Sequence, residues 1–237
     1  MSIYNKVLLA KKKNQKLLAI LLDPDKIDLL EINYLSKKIN QSPATHVFIG
    51  GSTFEGNHLD EIIIKLKANI TLPIILFPGN PNQISDKADG ILFLSLISGR
   101  NPDYLIEHQV NAVPLLKKTK LEIIATGYIL VNTGKITAVE KVSKTQSLPI
   151  DNPKFILQTA QAGEMMGNKL IYLEAGSGAD QAIPVEIITL VSKNIQIPLI
   201  VGGGVRSLSA IQKAYNAGAD LVVIGTAFEN DNNFFDK

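Results

Sequence analysis

Small and polar side chains gather in a few short segments of this chain: Asp23 to Lys26 (DPDK), GGSTFEG from Gly50, LEAGSG from Leu173, GGGVRS from Gly202 and GTAFE from Gly225. Gly202-Gly203-Gly204 and Gly225-Thr226 have the character of an anion cradle. Glycines let a backbone approach an oxyanion, and free N–H groups with a helix N-terminus behind them favour its charge. Tight turns alone would also use such glycines, but two motifs in succession favour phosphate. Gly176, Ser177 and Gly178 extend the cradle. Glu174 puts a carboxylate beside it, which is unfavourable unless the group takes a proton or hydrogen bond from a substrate hydroxyl. The alternative is a core glutamate paired with a buried Lys or Arg, and spacing leaves both open.

Asp23 and Ser52 offer a carboxylate and a hydroxyl. Together with diphosphate oxygens they would form the hard oxygen shell that suits Mg2+; equally, each can cap a local turn. Asp25 and Lys26 read as the polar lead-in to a helix. His46, His58 and His108 show no ligand spacing and read as loop or surface residues. The chain has no cysteine, so disulfides, thiolate metal sites and thiol nucleophiles are excluded.

These segments need a frame that brings them together. Each follows a short apolar run, and the runs recur: Leu17–Leu22, His46–Ile49, 73–77, Gly90–Leu96, 122–131, 170–173, 198–201 and Leu221–Ile224. Unbroken apolarity is expected of parallel strands covered on both faces. Helix-period stretches fall between them at 27–40, 58–68, 102–118, 153–166, 184–195 and 208–217, several with Asn-Pro starts. Two places break the alternation. The segment PGNPNQISDKA after the third run is too short and too rich in Pro, Asn and Gly for an outer helix. NTGKITAV after the fifth suggests a small hairpin. Strand and helix alternating eight times predicts an α/β fold, a (β/α)8 barrel of the phosphate-binding type. Its third outer helix is replaced by a short irregular segment, and residues 1–237 form one domain. The active site then belongs at the C-terminal ends of the strands, where the polar segments lie.

Hydrophobic residues make up 46% of the 237 and charged residues 19%, enough to build a full core. A net charge of +2 is too balanced to indicate a nucleic-acid partner. The Lys11-Lys12-Lys13 run reads as the solvated face of a first helix. No apolar run approaches the ~18 residues a membrane span needs, and a cytoplasmic location is expected.

The set LLDPDK, FIGGSTFEG, IYLEAGSGA, IVGGGVRS and VIGTAFE resembles the geranylgeranylglyceryl phosphate synthase family, in order and from Leu21 to Glu229. That family is a modified barrel lacking the third outer helix. The resemblance implies a prenyltransferase that joins geranylgeranyl diphosphate to sn-glycerol-1-phosphate. It implies Mg2+ on Asp23 and Ser52. It gives glycerol-1-phosphate to Tyr172, Leu173, Glu174, Ala175, Gly176, Ser177, Gly178, Gly203, Gly204, Gly225 and Thr226, with Glu174 as base and Tyr172 orienting the substrate or stabilising charge. Leu21 stands where the bacterial heptaprenyl enzymes of the family carry lysine, which favours the archaeal-like branch over a heptaprenyl-specific synthase. Phe77, Leu96, Tyr104 and Tyr128 are candidates for an apolar groove. The partners implied are the two substrates, peripheral membrane contact and a homo-oligomer, dimer or hexamer. Without the resemblance, the same cradle would serve an isomerase or cyclase acting on a sugar phosphate, or a silent phosphate-binding barrel.

Overall fold

A computed structural model describes residues 1–236 apart from Thr53 and Glu55, which with Lys237 lie outside the described residues. Helix α1 (Ile3–Lys12) precedes the barrel, and its first two N–H groups, at Ile3 and Tyr4, are taken by the Glu122 carboxylate. There follow β1 (Leu17–Leu22), a 3-10 turn (Pro24–Lys26), α2 (Ile32–Gln41), β2 (His46–Ile49), α3 (Leu59–Asn69), β3 (Ile74–Leu76) and β4 (Gly90–Leu96). A π-helical turn (Asp103–Glu107) runs into α4 (His108–Leu116), then β5 (Glu122–Leu130), α5 (Ala138–Ser143), α6 (Pro153–Met165) and β6 (Leu170–Glu174). The chain closes with α7 (Val185–Ser192), β7 (Leu199–Gly202), α8 (Leu208–Asn216), β8 (Leu221–Ile224) and the short α9 (Thr226–Asn230).

All eight strands pair in parallel with their sequence neighbours, and β8 pairs with β1, so the barrel is closed. Alternate residues face opposite sides, as strand geometry requires. Leu17 and Ala19, Phe48, Ile75, Leu92, Tyr172, Ile200 and Val223 point inward, into one apolar cluster. Leu18 and Ile20, Val47, Ile74, Leu173, Val201 and Val222 point outward against the helices, in a second. Both clusters are apolar, which is why the strands read as continuous hydrophobic runs. Ile3, Val7 and Ala10 of α1 join the inner cluster, so this helix plugs the N-terminal end of the barrel.

Residues 77–89 hold no helix, as expected from PGNPNQISDKA. Gln83 gives this segment its anchor: its amide donates to the Gly51 carbonyl at 3.0 Å and its oxygen accepts from Gly51 and Gly79. Three expectations need correction. The stretch after β5 forms α5 rather than a hairpin, because Thr137 and Glu140 make a reciprocal capping box that starts a helix. The second helix begins at Ile32, five residues later than its apolar spacing suggested, since Pro24–Lys26 take a tighter turn. His46 is neither loop nor surface. It starts β2, is 4% exposed beneath α1, and burial with the nearby Lys6 charge lowers its imidazole to about 4. Of the lysine run, Lys12 and Lys13 are exposed, whereas Lys11 pairs with Asp220 at 2.9 Å.

Candidate active site

One cavity at the C-terminal end of the barrel is lined by Asp23, Ser52, Tyr172, Glu174, Ser177, Gly178, Gly203, Gly204, Gly225 and Thr226. Residues from β1, β2, β6, β7 and β8 therefore meet although 203 positions separate the ends of the set. Strand order explains the convergence: each polar segment begins where its strand leaves the barrel. Not every expected residue faces the cavity. Leu173 and Ala175 are fully buried in the outer cluster, because odd positions of β6 turn away from the interior. The Gly176 N–H is already committed, to the Glu174 carboxylate at 2.7 Å.

Glu174 is the last residue of β6, faces inward and is 5% exposed. No Lys or Arg of the described residues pairs with it, so the core ion-pair reading fails. Burial pushes its carboxyl up to about 7, with the Gly176 N–H and the Tyr172 hydroxyl tempering the rise. That places a proton acceptor close to neutral pH. Two residues earlier, and so on the same face, Tyr172 is fully buried. Its hydroxyl lies beside the Glu174 carboxylate and has no other hydrogen-bond partner among the described residues. Burial and the Glu174 charge hold the phenol well above its usual range.

The glycines make this crowding possible. A Cβ at Gly202 would lie 2.3 Å from the Tyr172 hydroxyl and 2.9 Å from Glu174 Oε2. At Gly203, where φ is +77°, it would lie 2.2 Å from Glu174 Oε1. The N–H groups of Ser177, Gly203, Gly204 and Thr226 donate to no acceptor among the described residues, so four donors are free to meet an anion. Arg206, unremarked in the sequence, holds the cradle's rim: its guanidinium donates to the carbonyls of Gly178 at 2.9 Å and Ala179 at 2.7 Å.

At the end of β1, next to β8, Asp23 Oδ1 accepts the Asp25 N–H at 3.2 Å, and its side chain is 27% exposed. The cavity lining carries Asp23, Asp25, Glu174 and Glu229 against Lys26 and Arg206. A site that is to take phosphates with that balance needs further positive charge. Among the described residues no three His, Cys, Asp or Glu are grouped to hold a metal alone. Asp23 and Ser52 therefore fit Mg2+ in its usual manner, one carboxylate completed by water and substrate phosphate oxygens.

A second, apolar cavity opens beside the first. Phe77, Leu96, Tyr104 and Tyr128 all line it, with Ile84, Leu92 and Ala112. Gly51, Ser52, Phe77, Tyr128 and Val139 line both cavities and form the neck between them. At the neck three rings touch: Tyr128 and Tyr172 with centroids 5.3 Å apart, Phe77 and Tyr172 at 5.4 Å, and Phe77 and Tyr128 at 5.8 Å. Val139 comes from α5, so the element misread as a hairpin covers the junction.

Comparison with known proteins identifies a family and a fold. The PcrB family model matches residues 10–237. A geranylgeranylglyceryl phosphate synthase of Flavobacterium johnsoniae is 62% identical over 236 residues, covering 100% of this chain and 97% of its own. The protein of the same name from the archaeon Korarchaeum cryptofilum is 40% identical over 219 residues, covering 92% and 90%. The crystal structure of (S)-3-O-geranylgeranylglyceryl phosphate synthase from Thermoplasma acidophilum, in complex with its substrate sn-glycerol-1-phosphate, superposes with a TM-score of 0.94 at 32% identity, covering 100% of this chain and 95% of that one. A tryptophan synthase α-subunit from Pyrococcus furiosus, at 15% identity and a TM-score of 0.59 over 91% and 88% of the two chains, shares the fold alone.

Proposed function

Because this chain belongs to the PcrB family, we propose that it transfers a geranylgeranyl group from its diphosphate to sn-glycerol-1-phosphate, with Mg2+ as cofactor. The observation that carries the reading is the pairing of two cavities through one neck. A polar cavity with free backbone donors suits a small phosphate, and an apolar cavity suits a prenyl tail. An isomerase or cyclase of polar sugar phosphates has no use for the second.

In this reading the free N–H groups of Ser177, Gly203, Gly204 and Thr226 hold the phosphate and so fix the glycerol hydroxyl near Glu174. Glu174 takes the hydroxyl proton as the oxygen attacks the prenyl C1. The Tyr172 hydroxyl, which has no partner but Glu174 among the described residues, would donate to a glycerol oxygen. Phe77, Tyr128 and Tyr172 turn aromatic surface toward the neck, where positive charge develops on C1 and ring faces attract it. Asp23 and Ser52 would hold Mg2+, and its charge would offset that of the departing diphosphate. The enzyme is expected in the cytoplasm, touching the membrane periphery where its product belongs, and as a dimer or hexamer.

Calorimetric titration tests the polar cavity directly. Glycerol-1-phosphate should bind without added metal and should outcompete inorganic phosphate. Equal affinity for unrelated sugar phosphates, or no binding, would contradict the reading.

A further inference from the structure

Among the described residues two cations line the cavity, and they are used differently. Arg206 points its guanidinium at main-chain carbonyls of the loop after β6. Lys26, on the turn after β1, lines the cavity with a side chain 54% exposed, Nζ lying 2.9 Å from Glu229 Oε2 and 3.4 Å from Asp23 Oδ2. Glu229 is itself fixed: its side chain is 13% exposed, and Oε1 accepts the Asp23 N–H at 3.0 Å. A held carboxylate therefore presents an ammonium to the carboxylate expected to take Mg2+.

We infer that Lys26 binds the diphosphate of the prenyl donor, with Glu229 as its positioning residue. This inference rests on the proposed function. A cation on Asp23 competes for the longer of the two Lys26 contacts and leaves the shorter one in place. The ammonium then keeps donors for a ligand beside the expected metal, next to the β8 arm of the glycerol-phosphate cradle, since Glu229 lies on the helix that starts at Thr226. Lysine suits the task because its three N–H donors can turn to meet whichever diphosphate oxygen the metal leaves. A surface pair that only neutralised Asp23 and Glu229 would contribute little and would not change ligand affinity.

The test titrates wild type, Lys26→Ala, Lys26→Arg and Glu229→Gln with inorganic pyrophosphate in Mg2+, and separately with glycerol-1-phosphate. Loss of a charge-assisted contact should weaken pyrophosphate about 10- to 100-fold in Lys26→Ala. Lys26→Arg should recover most of that loss, and Glu229→Gln, which keeps the ammonium but loosens its hold, should show a smaller one. Glycerol-1-phosphate affinity should stay within about twofold in all three. Unchanged pyrophosphate affinity in folded Lys26→Ala overturns the inference, and so does an equal loss for both ligands, which would mark a general field effect. If wild type forms the prenyl ether while Lys26→Ala retains pyrophosphate, the inference falls and the proposed function stands. If wild type binds no pyrophosphate and forms no ether, both fall.

Discussion

Glu174 carries opposite demands for stability and for chemistry. Burial pushes its carboxyl from 4.5 up to about 7, so the folded chain holds a proton there that the unfolded chain releases between those values. Stability is therefore unaffected by this group below about pH 4.5, falls as pH rises, and reaches its full loss, on the order of 3 kcal/mol at most, above about pH 7. In the proposed reaction turnover runs the other way, since only the deprotonated carboxylate accepts a proton. Wild-type kcat should rise with pH through about 7. Glu174→Gln keeps the shape and the Gly176 hydrogen bond but loses the charge. Its kcat should fall by ~10²–10⁴-fold, while its thermal midpoint at about pH 8 should exceed that of wild type and converge with it near pH 4.5. A variant that is less stable than wild type at about pH 8 and turns over normally would remove Glu174 from the mechanism. The sequence marked this residue through its motif but could not choose between base and ion-pair partner. The choice depends on which side chains approach from β7 and β8, and spacing along β6 says nothing of them. Lys26 was passed over for the same reason, because Glu229, 203 positions away, gives it meaning.

At the scale of elements, most of the barrel was legible because strand and outer helix each bury an unbroken or periodic apolar face. The missing third helix was legible from its prolines, asparagines and glycines. What failed was α5, where Ile136, Thr137 and Val139 suggested strand propensity and the capping box decided otherwise. Such a box outweighs β-branched residues in a short segment by fixing the N-terminal donors. Thr137→Ala should cost about 1 kcal/mol in local helix stability. Because α5 is a short surface element, that loss should appear as faster hydrogen exchange of the α5 amides with little change in the global midpoint. Since Ala138 and Val139 line the polar cavity, KM for both substrates should rise in the same variant. Unchanged exchange in α5 would mean the cap does not hold the helix.

At the scale of the whole molecule, the barrel sorts chemistry by direction. Helix α1 seals one end, the polar strand ends form the other, and the absent third helix leaves room for an apolar cavity beside β3 and β4. No helix among the described residues is long and apolar enough to cross a membrane. Family and fold were both readable from motif order, whereas the neck of Phe77, Tyr128 and Tyr172 was visible only once strands remote in sequence were brought together. In the proposed function, one neck joins a phosphate-anchored glycerol to a prenyl chain. The most direct measurement is mass analysis of products after incubation with sn-glycerol-1-phosphate, Mg2+ and farnesyl, geranylgeranyl or heptaprenyl diphosphate in parallel, each repeated with a chelator. Geranylgeranylglyceryl phosphate should be the main product, with release of pyrophosphate, and should be lost when Mg2+ is removed. Absence of an ether product from every prenyl donor would contradict the proposed function.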